Sequence, residues 1–350
     1  MGLLRLLLAL SVLSSHSGED KLFLFKEASA VLSFFVISGF YMAFILEGKY
    51  KSKIDFYISR ALRIFPIYWI ALLLTILLGF VKIQLHLGGD ENAIIHYLHY
   101  SSYLSGNEVV TEGINFIFRN LSLIITKDYF SLKDNVAPGY LILYQGWSLQ
   151  IELLFYLLIP FILKIKKNFL SFAGLYFIFF YGILAPSNLI PANTLTYRLL
   201  DYILYFLLGI CSYKYIYKYI MDIKPNRLYY IIFFATLFYV ILYRLIPGRI
   251  VEQSFPITLM YYLPFSMFLP FIFSLTKNNK LDRFIGELSY PIFISHLIFV
   301  KILLSLPHPK IPLFNSVIVA ITTILFSILV VKFIQQPIDR FRHRLRVKKL

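Results

Sequence analysis

A chain of 350 residues that is 59% hydrophobic and 18% aromatic is far more apolar than the roughly 45 to 50% of an ordinary soluble domain, which excludes a soluble globular protein. Its formal charge of +16 is spread over short loops between apolar runs, so it reads as a topological signal and not as a nucleic-acid footprint. The single cysteine, Cys211, excludes an intramolecular disulfide and a thiolate metal cluster.

Crossing the hydrocarbon core takes about 20 apolar residues. By that measure about ten transmembrane helices are predicted, near residues 2–17, 28–46, 64–81, 147–163, 169–186, 201–218, 228–246, 257–275, 284–304 and 313–333. The first, MGLLRLLLALSVLSSHSG, is the shortest and carries one cation, Arg5, and one imidazole, His16. Eleven positions are close to a whole number of helical turns, so both side chains project from one face, about 16 Å apart along the axis. The same residues also have the layout of a cleaved signal peptide. Its removal would leave nine spans and an outside N-terminus; its retention predicts a mature chain that keeps residue 1 or 2.

The loop after the second span holds Lys49, Lys51, Lys53, Arg60 and Arg63. Alternate later connections hold Lys164, Lys166 and Lys167, then Lys224 and Arg227, then Lys277, Lys280 and Arg283, and the chain closes on FRHRLRVKKL. All of these fall on one side, which the positive-inside rule makes cytoplasmic; with ten spans, both termini lie there. The expected division is a transmembrane domain over 1–336 and a basic cytoplasmic tail over 337–350. Segment 82–146 is too long for a bare connection. Within it, INFIFRNLSLIIT (114–126) is apolar over only thirteen residues and fits an interfacial or re-entrant helix better than a span. Asp90, Glu91, Glu108, Glu112, Asp128 and Asp134 give this outer segment its acidic share.

Ionisable residues inside spans are functional candidates by default. Arg60 and Arg63, one helical turn apart before Pro66, either anchor the helix topologically or form an anion clamp, because paired guanidinium forks match phosphate oxygens. Glu152, in GWSLQIELLFYLLIPF after Trp147 and Ser148, is either a structural ion pair or a working carboxylate. His296, mid-span after Pro291, is either a hydrogen-bonded core residue or part of a site. His86, His96 and His99 in the outer loop match no closed zinc spacing, and no metal is expected. Ser/His/Asp arrangements, phosphate-binding Gly loops and dinucleotide turns are absent from the sequence.

Taken together, these stretches resemble the membrane-bound acyltransferase-3 family, whose members O-acylate bacterial surface polysaccharides and some other acceptors. The motifs run in order: Arg5 and His16 at R-x10-H spacing, Leu32 to Phe40 in the second span, and Arg60/Arg63 leading into Ile64-Phe65-Pro66-Ile67-Tyr68. Arg119-Asn120-Leu121, Trp147-Ser148-Leu149 with Glu152, Tyr290-Pro291 with His296, and Gln336-Pro337 follow. Arg5 follows only Met-Gly-Leu-Leu, fewer residues than the family usually carries there.

The resemblance implies an all-α polytopic enzyme of the cytoplasmic (inner) membrane. It would move an acetyl or other acyl group from acyl-CoA, a substrate and not a resident cofactor, to a hydroxyl of an exported or lipid-linked glycan. His16, Glu152 and Arg5 would be the catalytic residues, with His16 the general base, Glu152 orienting its ring and Arg5 steering the donor. Arg60, Arg63, Trp147, Ser148 and His296 would bind substrate. The competing class is a transporter or flippase, for which the two related halves with paired broken helices are not visible.

Overall fold

A computed structural model describes residues 1–18, 25–47, 50, 52–85, 106–124, 141–165, 168–187, 189–190, 194–221, 227–243, 255–305 and 311–344. Lys49, Lys51, Lys166, Lys167, Lys224, the outer-loop histidines, Asp90, Glu91, Asp128, Asp134 and the last six residues of the basic tail lie outside them. The described residues are helical, without a strand. The helices are α1 (Gly2–His16), α2 (Glu27–Leu46), α3 (Lys53–Gln84), α4 (Asn107–Ser122), α5 (Gly146–Ile162), α6 (Phe169–Phe179), α7 (Leu195–Cys211), α8 (Arg227–Tyr243), α9 (Phe255–Thr276), α10 (Lys280–Leu304), α11 (Pro312–Val330) and α12 (Gln336–Arg344). Helices α6, α7 and α11 each run on through a π-helical turn.

Seven helices are long and apolar enough to span a membrane, and each coincides with one of the ten predicted stretches. The other three stretches are apolar helices below spanning length, Gly2–His16, Gly146–Ile162 and Tyr229–Tyr239. At 15 residues, α1 reaches about 22 Å against a core of about 30 Å. Leu73, Leu77, Phe80, Leu170, Leu175, Phe234, Phe238, Leu325 and Leu329 are exposed on the helix exteriors, a surface that suits lipid and would be a liability in water. This is a multi-pass membrane protein.

Residues 114–122 of segment 114–126 fall in α4, which begins earlier, at Asn107, and is capped by Leu123 in a left-handed conformation with φ 57°; residues 125 and 126 lie outside the described residues. The 16 residues of α4 do not reach across. It is tied to α3 instead: the Tyr68 hydroxyl donates to the Asn120 carbonyl at 2.8 Å and the Trp69 indole N–H to the Leu121 carbonyl at 2.9 Å. Asn120 is buried and its side-chain carbonyl accepts from the Ile142 N–H at 2.8 Å, so it also fastens the approach to α5.

In a bilayer no water rescues an orphaned carbonyl, and α9 contains two prolines that each free one. Pro264 lacks the N–H that would bond Met260, and the Tyr239 hydroxyl of α8 donates to that carbonyl at 3.0 Å. Pro270 likewise frees Ser266, whose carbonyl takes the Ser212 hydroxyl at 2.5 Å. The bends are thereby fixed to neighbouring helices.

Two backbone-close crossings set the centre of the bundle. At Gly39 of α2 and Gly209 of α7, a Cβ on either would overlap the facing backbone, at Phe206 and Val36 respectively. At Gly2 and Gly286, α1 and α10 approach as closely. Small residues allow this contact where lipid supplies no hydrophobic push between helices. The Asp282 carboxylate of α10 accepts from the Gly2 and Leu3 amides at 2.7 and 2.9 Å, capping the positive end of α1 with a negative charge. Helix α1 therefore stands against α10, α2 and α11, with Arg5 and His16 directed along one track.

Candidate active site

The two ends of α1 serve two different constellations. Around Arg5 lies a cavity of about 530 Å³, walled by α1, α2, α3, α5, α9, α10 and α12. Six cationic side chains line it, Arg5, Arg60, Arg63, Lys277, Arg283 and Arg342, against four carboxylates, Glu152, Asp282, Glu287 and Asp339. Arg60 is buried; its Nη2 donates to the Tyr50 hydroxyl at 3.0 Å, while its Nε has no partner among the described residues. Arg63, one turn on, lines the same wall, so the i, i+3 face of α3 does present both guanidinium groups to one space.

Glu152 is held on the opposite wall. The Ser38 hydroxyl donates to its Oε1 at 2.9 Å, and the Tyr156 hydroxyl donates to the same oxygen. Ser148 also lines the cavity, its hydroxyl donating to the Gln145 carbonyl at 3.0 Å. Trp147 does not line it: its ring packs on Tyr202 at 5.8 Å between centroids, one helical position away and on another face.

At the far end of α1 the His16 Nε2 lies 3.1 Å from Glu27 Oε1, the acid in the first turn of α2. The Ser15 hydroxyl donates to the second oxygen of Glu27 at 2.6 Å, fixing the carboxylate, which the N-terminal end of α2 also favours. The sequence reading has Glu152 orienting this imidazole. The structure gives that place to Glu27, because the closure of α2 on α5 seats Glu152 in the cavity beside Arg5. A carboxylate accepts only, so neutral His16 carries its proton on Nε2 and keeps its lone pair on Nδ1.

His296 lies beside His16, ring centroids 5.2 Å apart and ring planes tilted by 31°. It is fully buried, and its Nδ1 lies 2.7 Å from the Phe293 carbonyl. That carbonyl fixes the proton on Nδ1 and leaves a lone pair on Nε2, which has no partner among the described residues. Phe34 and Phe293, whose rings meet edge to face at 6.1 Å, also line the cavity, and Phe293 sits 6.1 Å from the His296 ring. An aromatic layer thus stands between the basic cavity and the histidine pair. No group of three or more His, Cys, Asp or Glu side chains suited to a metal occurs among the described residues.

Glu27 and Arg342 are the site residues that sequence reasoning missed. For Glu27 the signal was present: a carboxylate opening an apolar span, one short connection from the histidine. For Arg342 only an undifferentiated basic run was visible.

One helix thus joins a cationic cavity inside a helical membrane bundle to a His–Glu pair. The sequence profile of the acyltransferase-3 family, described as an acyltransferase domain, matches residues 3–332. The chain belongs to that family and is a membrane acyltransferase. A protein of Aquifex aeolicus (strain VF5), described as an uncharacterized protein, is similar: 27% identical over 224 residues, covering 61% of this chain and 96% of that one. No solved structure matches the chain.

Proposed function

We propose that this acyltransferase takes an acetyl or other acyl group from cytosolic acyl-CoA and places it on a hydroxyl of an exported or lipid-linked glycan, in the inner membrane. The observation that carries the reading is the pairing of the two ends of α1, a cavity rich in arginine at Arg5 and a carboxylate-held imidazole at His16. The phosphates of an acyl-CoA cannot cross a bilayer, so the donor docks from the side where Lys and Arg collect. Lys277, Lys280 and Arg283 lie at the start of α10, at the Arg5 end, and Arg340, Arg342 and Arg344 lie in α12, which also reaches the cavity. Arg5 steers the charged end of the donor, while Arg60 and Arg63 hold phosphate oxygens. The slender pantetheine arm passes the layer of Phe34 and Phe293.

Nδ1 of His16, the nitrogen that Glu27 leaves unprotonated, is the general base. The acceptor oxygen bonds the thioester carbonyl carbon and its proton passes to Nδ1; the C–S bond breaks, and the departing thiolate takes that proton from the imidazolium. Glu27 orients the ring and stabilises its cation. Such a base is worth about 10²- to 10⁴-fold in rate. Glu152, beside Arg5, positions the donor head, and the free Nε2 of His296 accepts from a second hydroxyl of the acceptor.

The test uses the purified chain with radiolabelled acetyl-CoA. Release or transfer of label should disappear in His16→Ala; undiminished turnover in that variant overturns the base assignment.

A further inference from the structure

We propose that Arg342, in the C-terminal helix beyond the family domain, is a third phosphate-binding residue of the cavity and closes the clamp begun by Arg60 and Arg63. The matched domain ends at residue 332, so family membership says nothing of this position.

The inference starts from how little of the Arg342 guanidinium is used. The side chain is 2% exposed, although it stands in a run of basic residues near the end of the chain. Its Nε donates to the Ser59 hydroxyl at 3.2 Å and its Nη1 to Asp339. Its Nη2 is buried without a partner among the described residues, and the residue lines the cavity. A buried guanidinium N–H without an acceptor is costly. Asp339 does not relieve the cost, because it engages one nitrogen and not the fork.

Arg60 shows the same condition from the other side. Its Nη2 is on Tyr50, the Tyr50 hydroxyl is 2.9 Å from Ser59 Oγ, and Ser59 holds Arg342. Two hydroxyls therefore bridge two guanidinium groups and hold them side by side, each with an N–H left over. Arg63 joins them on the wall, and Asp339 is the carboxylate bonded to the group. The three forks outnumber the two carboxylates near them, Asp339 and Glu287, and the buried N–H donors left over on Arg60 and Arg342 call for more acceptor oxygens than a single neutral oxygen would supply. A phosphate ester, with two charges and several acceptor oxygens, supplies them.

The assignment rests on the acyl-CoA reading for the identity of the phosphate, and the experiment separates the two. Affinities of coenzyme A and of inorganic pyrophosphate are measured on the full-length purified chain and on Arg342→Ala, Arg342→Lys and Arg344→Ala. Coenzyme A affinity should fall at least tenfold in Arg342→Ala and less in Arg342→Lys, which keeps the charge and loses the fork. It should be unchanged in Arg344→Ala, which removes an exposed cation from the same helix. If Arg342→Ala does not fold, the lysine variant and the pyrophosphate arm carry the test alone. Coenzyme A binding that is equally tight with and without the Arg342 fork overturns this proposal and leaves the donor reading standing. Pyrophosphate binding that depends on Arg342, in a chain that ignores coenzyme A, supports the phosphate site and overturns the donor reading. Failure of the wild-type chain to bind either overturns both.

Discussion

The two ends of α1 are built on opposite principles. At His16 the polar atoms are matched almost one to one: imidazole to Glu27, Glu27 to Ser15, and the neighbouring His296 Nδ1 to a backbone carbonyl. At Arg5 six cations meet four carboxylates, and two buried guanidinium groups keep unused N–H donors. A matched network fixes geometry and a proton's address; a buried, unmatched one waits for charge from outside. On the proposed reading, the difference makes one end a place for proton transfer and the other a place for binding an anion. Mutations should therefore separate along kcat and KM.

The largest break should come from His16→Ala, with a loss of about 10²- to 10⁴-fold in kcat and a coenzyme A affinity close to that of the wild type. Glu27→Gln should follow, since the amide keeps the shape and loses the charge that stabilises the imidazolium. A fall in kcat of about tenfold to a hundredfold, as for loss of an outer partner of a functional histidine, is expected with donor KM unchanged. Equal kcat in this variant would return the orienting role to Glu152. At the other end, Arg63→Ala should raise the acyl-CoA KM about tenfold, a loss of about 1.4 kcal/mol, with kcat within a few-fold. A kcat loss of a hundredfold at unchanged KM would erase the distinction between the ends.

How much of this was legible in the sequence follows from what spacing can encode. Arg5 with His16, and Arg60 with Arg63, are same-face relations within single helices, and α1 and α3 present them as read. Ser148 and Glu152 are likewise four apart on one face of α5 and meet in the cavity. Which helix stands opposite is another matter. The choice of Glu27 over Glu152 depends on how α2 stands against α1 and α5, and the place of Arg342 depends on α12 folding back onto Ser59. Those are interhelical distances, for which a sequence motif holds no ruler. Span lengths were also only partly legible: apolar stretches 2–17 and 147–163 form helices shorter than a span, because hydropathy marks where a chain is apolar and not where its helix stops.

A substitution in the scaffold that belongs to neither end sharpens the comparison by its smallness. Ser212→Ala removes the hydroxyl that satisfies the Ser266 carbonyl, which Pro270 has left without its helical N–H. The buried acceptor should then cost about 1 kcal/mol of stability, read as a lower unfolding temperature in detergent. In a Pro270→Ala background the residue at position 270 again supplies an N–H to Ser266, so the same serine substitution should cost less, giving a measurable coupling between the two. Because Ser212 touches neither the arginines nor the histidines, kcat and KM should both hold. A shift in KM alone would mean that the shape of the basic cavity is set as far away as the α7–α9 contact, and the anion site would then be a property of the whole bundle instead of its arginine wall.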